Sequence, residues 1–74
     1  MSKQITVIAA VSQENLEKYG ADVVNAEIDT IAEAKVRAKY YLSEEYMDRC
    51  EDATRLRYAQ VVVDGEVRYD FFGK

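Results

Sequence analysis

The stretch that decides the fold is Arg57-Tyr58-Ala59-Gln60-Val61-Val62-Val63-Asp64-Gly65-Glu66-Val67-Arg68-Tyr69-Asp70-Phe71-Phe72. Asp64-Gly65 separates two runs rich in β-branched and aromatic residues. A two-residue turn with positive φ at both positions is the tightest link between antiparallel strands, and Asp-Gly suits it. A regular hairpin on that turn pairs Val62 with Val67, Gln60 with Tyr69 and Tyr58 with Phe71 on one face. Val61 then meets Arg68, and Val63 meets Glu66, on the other. The first of these faces is expected to be the core.

Working towards the N-terminus, Ile31, Ala34, Ala38, Tyr41 and Leu42 recur every three to four residues, the stripe of an amphipathic helix laid on a sheet. Asp29 or Thr30 is its N-cap, with Glu33 at capping-box spacing from Thr30. Glu33 and Arg37 stand at i, i+4 on it. No glycine or proline halts the helix, so it is expected to reach about Cys50, with a bend near Ser43. Val24, Ala26 and Ile28 alternate with Asn25, Glu27 and Asp29 as a strand before it. Ser12 to Asp22 reads as a loop with at most one helical turn over Glu14 to Lys18. Ile5, Val7, Ala9 and Val11 alternate with Thr6, Ile8 and Ala10 as the first strand.

The order strand, strand, helix, strand, strand predicts an α+β fold: a four-stranded antiparallel sheet in spatial order 2-1-3-4 with one helix packed on one face. The 74 residues leave room for one core, so residues 1–74 are expected to form a single domain. At 49% hydrophobic and 32% charged, the composition is that of a folding chain. A lone cysteine, Cys50, cannot close an internal disulfide, which points to a reducing compartment and the cytoplasm as the default. The Ile5–Val11 run is too brief, and too regular in its alternation, for a signal h-region, and no segment has the ~20 apolar residues of a membrane helix. A net charge of −4 argues against direct nucleic-acid binding.

The chain contains no histidine, and its three glycines at 20, 65 and 73 cannot form a phosphate loop. One cysteine excludes a cysteine-rich zinc site. Glu44, Glu45, Asp48, Glu51 and Asp52 crowd one stretch, but calcium loops need ligands around a central glycine, which this helical stretch lacks. No catalytic, cofactor or metal residue is assigned, and the chain is expected to work by binding.

Two surfaces are candidates. Glu44 to Asp52 holds five acids against Arg49 alone, an excess that equals the net charge of the whole chain. Such a face docks on a basic partner surface, or is a solvated helix face with Glu45–Arg49 and Glu51–Arg55 pairs. Tyr40 and Tyr46 are candidate anchors beside it, or half-buried packing at the helix edge. The second surface exists because one helix cannot cover both sides of a sheet. The regular register points Ile8, Ala10, Ala59, Val61, Val63 and Phe72 outward with Thr6, Arg68 and Asp70. Of these, Ile8, Val61, Val63 and Phe72 are candidates for a homodimer or partner face.

The junction Ala26-Glu27-Ile28-Asp29-Thr30-Ile31-Ala32-Glu33-Ala34-Lys35 and the hairpin Val61-Val62-Val63-Asp64-Gly65-Glu66-Val67 resemble, in pattern, several small phage-encoded inhibitors of bacterial defence, including anti-CRISPR proteins. The resemblance implies a stoichiometric inhibitor that blocks a nucleic-acid-handling host complex. It carries over no functional residue.

Overall fold

Asp64 and Gly65 take φ values of 53° and 82°, the pair of left-handed positions that the Asp-Gly turn requires. The structure, a computed structural model, describes residues 4–49 and 55–73. The turn joins β3, Tyr58–Val63, to β4, Glu66–Phe72. β1, Ile5–Ala10, lies on the other side of β3, and β2, Val23–Ile28, flanks β1. All neighbours are antiparallel, in the order β2-β1-β3-β4. This is the expected α+β architecture and strand order.

The helix α2, Ile31–Tyr41, starts at Thr30, whose hydroxyl accepts from the Glu33 N–H at 3.1 Å. It buries Ala34 and Ala38 against the sheet. Small residues there let the helix approach β1 and β3 closely, where Ile5, Val7, Ala9, Ala59, Val61 and Val63 complete the core with Ile28 and Leu56. Burying a valine or isoleucine contributes ~1.5–3 kcal/mol, so this layer supplies most of the drive to fold.

α2 ends at Tyr41, well before the expected stop at about Cys50. Leu42 N–H bonds Lys39 O at 3.2 Å, a tightened last turn, and the Ser43 hydroxyl accepts from Tyr46 N–H at 3.3 Å to begin a separate helix, α3, Glu44–Arg49. The expected bend is therefore a break, and Cys50 lies outside the described residues. Ser12–Asp22 also differs from the loop reading. Gln13–Tyr19 forms α1, capped by the Ser12 hydroxyl accepting from Asn15 N–H at 3.0 Å and ended at Gly20, φ 85°. Seven residues make a marginal helix in isolation, and its packing against β1 holds it.

The hairpin faces require the main correction. Val61 and Val63, expected outward, are buried beneath α2, as is Ala59, while Val62 and Gln60 lie on the opposite face. The register begins as expected, with Val63 opposite Glu66 and Val62 opposite Val67, then slips, so that Val61 meets Tyr69 and Tyr58 meets Phe72. Arg68 is the extra residue of a β-bulge. With Val61 inward, a regular β4 would drive Arg68 and Asp70 beneath α2. The bulge turns the rest of the strand over and sends Tyr69 and Phe71 there instead. Lys35 and Lys39 of α2 lie over those rings, their ammonium groups 4.1 and 5.9 Å from the centroids.

β2 is bulged in the same way. Ile5 pairs with Ile28 but Val7 with Asn25, leaving Ala26 and Glu27 opposite Thr6. Ile28, Asn25 and Val23 thereby face α2, and Val24 faces away.

Candidate protein-binding surfaces

Three cross-strand rows make up the face that α2 leaves uncovered. Val24, Ile8, Gln60 and Asp70 form one, Thr6, Val62 and Val67 a second, and Ala10, Tyr58 and Phe72 a third. Val24, Val67 and Phe72 are 64%, 51% and 68% exposed, and Ile8 and Val62 are half-buried between them. Ala10 and Tyr58, at the end where the chain turns into α1, are buried. The Tyr58 ring packs on Phe72 with centroids 5.0 Å apart. Its hydroxyl accepts from Gln60 Nε2 at 2.8 Å and donates to Asp70 Oδ2 at 3.5 Å, so Tyr58, Gln60 and Asp70 are engaged with one another.

Of the four residues expected on this face, Ile8 and Phe72 lie there, whereas Val61 and Val63 do not. Val24, Val62 and Val67 take part instead. No local signal in the sequence marks them, because Val62 and Val67 face out only once α2 covers Val61 and Val63, and Val24 faces out only through the bulge in β2.

The acidic candidates lie on the other layer. Glu44, Glu45 and Asp48 are exposed on α3, and Arg49 Nη2 bonds Glu45 Oε1 at 3.4 Å, the one cationic group that offsets them on that helix. Glu51 and Asp52, and with them the expected Glu51–Arg55 pair, fall outside the described residues. Glu33 and Arg37 do not pair. Tyr40 and Tyr46 are half-buried and meet Tyr41 in a three-ring cluster, with centroids 5.9, 5.4 and 5.0 Å apart and Tyr46 set edge-on to both partners. Tyr41 and Tyr46 pack against the core, and each such ring pair is worth ~0.5–1.5 kcal/mol beyond its area. The cluster fixes α3 to the end of α2. Asn25 strengthens this join, donating from Nδ2 to the Tyr41 hydroxyl at 2.9 Å while its Oδ1 accepts the Glu27 N–H at 3.0 Å.

Among the described residues, no group of three or more His, Cys, Asp or Glu side chains is placed to hold a metal ion, and no polar or charged residue is buried. No helix among them is long and apolar enough to cross a membrane. Comparison with family models, with curated proteins and with solved structures finds no match to this chain.

Proposed function

We propose that this chain is a protein-binding module that works without catalysis, in a reducing compartment such as the cytoplasm, by docking through its open sheet face. The observation that supports this most is the set of exposed apolar side chains Val24, Val67 and Phe72 around Ile8 and Val62. A contiguous apolar surface costs solubility and, unlike a scattered exposed residue, marks an association site. The test uses the chain immobilised in a bacterial lysate, beside a Val24→Lys/Phe72→Lys variant and a Glu44→Lys/Glu45→Lys/Asp48→Lys variant. Partners are identified by mass. Partners retained by the helix variant and lost by the sheet variant support the reading. Equal retention by the sheet variant counts against it.

A second reading rests on α3, where Glu44, Glu45 and Asp48 are exposed and, among the described residues, only Glu45 has an ion pair, with Arg49. On this reading the chain is a phage-type inhibitor that covers a basic, nucleic-acid-handling surface of a host protein, as complementary potentials speed encounter and set register. Its mark is capture by the wild type at low salt, absence at high salt and loss in the helix variant.

A further inference from the structure

We infer that the edge of β4 beyond its bulge is a second docking site, separate from the open face, and that its occupant is an extended acidic peptide. The peptide adds to the sheet as a further strand, with alternate carboxylates facing Lys35 and Lys39 of α2. The hydrogen-bond alternation of the sheet prepares this edge. Asp64 N–H bonds Gln4 O at 2.9 Å, and Gly73 N–H bonds Arg57 O at 2.7 Å. Bonded and non-bonded pairs alternate along an antiparallel ladder. Val61 with Tyr69 and Ala59 with Phe71 are therefore bonded pairs, whereas Asp70 and Phe72 turn their N–H and C=O groups away from β3. β4 is the last strand in the sheet, and among the described residues no other backbone bonds Asp70 or Phe72. An unpaired strand edge is a template for another strand, and main-chain bonds then supply affinity while alternate side chains supply specificity. The bulge at Arg68 shortens the regular edge to Tyr69–Phe72, which seats a short peptide but resists pairing with a second such edge.

Charge selects the occupant. α2 lies chiefly over β1 and β3, so the inner side of β4 shows beyond it: Tyr69 is 40% exposed and Phe71 is half-buried. The Lys35 and Lys39 ammonium groups stand over these two rings, and neither lysine has an ion pair among the described residues. Four helix residues separate the lysines, a rise of about 6 Å. Two strand residues separate the rings, about 7 Å, and a strand added about 4.8 Å further out repeats at that same interval. Its alternate side chains thus come up beside the rings in step with the two cations. The intervening side chains fall on the open-face side beside Asp70, where a further carboxylate would be repelled, so the acidic positions are confined to every second residue.

The probe is a fluorescently labelled peptide of alternating Glu and Thr, about eight residues long. One control is its Gln-Thr counterpart. The other is a Glu-Glu-Thr-Thr repeat, which carries the same charge but never at alternate positions. Anisotropy titrations at low salt, up to ~1 mM protein, are expected to show the alternating peptide bound about fivefold more tightly than either control. Lys35→Gln/Lys39→Gln, with circular dichroism unchanged, should weaken it by a similar factor, and the peptide controls decide the matter should that variant misfold. Amide exchange at Asp70 and Phe72, followed by NMR, should slow when the peptide binds. Absence of binding over that range, equal binding of either control, equal binding by a folded lysine variant, or unchanged exchange at both amides overturns the inference. Tighter binding of a short oligothymidylate than of the peptide also overturns it, since the rings would then be a stacking platform for bases. The lysate capture tests the open-face reading independently of all these outcomes.

Discussion

At the tip of the β3–β4 hairpin, Asp64 holds a left-handed backbone and also ties the turn to β1. Its N–H donates to Gln4 O at 2.9 Å, and its Oδ1 accepts the Gln4 N–H at 2.9 Å. Asp64→Asn keeps the acceptor and tolerates the φ, so urea denaturation should find it within ~0.5 kcal/mol of wild type. Asp64→Ala loses the side-chain bond and strains the turn, and should cost about 1–2 kcal/mol. In the core, Ile28 is buried against α2 with no polar group to receive a charge, so Ile28→Asp should abolish the cooperative thermal transition. A folded Ile28→Asp protein would contradict the core assignment. Both residues were legible in sequence because their roles are local: Asp-Gly has few turn geometries, and Ile28 closes a strand just before a capped helix.

At the scale of elements, both edge strands owe their facing to a bulge, and Asn25 holds one of them. It joins the Glu27 backbone to the Tyr41 hydroxyl, linking β2 to the end of α2. Asn25→Ala should lose about 1–2 kcal/mol in denaturant and speed amide exchange at Glu27. The bulge at Arg68 makes a sharper prediction. Removing Arg68 restores simple alternation while leaving Val67 outward and Tyr69 inward, so the deleted chain should still fold. It would present a regular β4 edge, and edge-to-edge aggregation, followed by light scattering, should rise. If the deletion unfolds the chain, the bulge does more than adjust facing. The α2–α3 break at Ser43 was half-legible, since Ser is a capping residue. The sequence alone does not show whether the chain bends or stops there, because that depends on Tyr41 and Tyr46 meeting the core.

Over the whole molecule, the two layers carry different surfaces: a helix layer ending in exposed carboxylates and a bare sheet layer with exposed valines and Phe72. Reversing Glu44, Glu45 and Asp48 to lysine touches no core contact, so the melting temperature should stay within a few degrees of wild type. A drop of ten degrees or more would mean that α3 is held by its charges and not by its tyrosines. By itself the sequence determined the strand order, the antiparallel hairpin, the Thr30 cap and the existence of an uncovered sheet face, because alternation, turn chemistry and capping act over a few neighbouring residues. Only the tertiary structure decided which valines that face displays. An alternating strand offers two apolar sides, and the choice between Val61 with Val63 and Val62 is made by Ala34 and Ala38 arriving from a distant helix. That choice obliges β4 to bulge so that Tyr69 and Phe71, and not Arg68 and Asp70, lie beneath the lysines of α2.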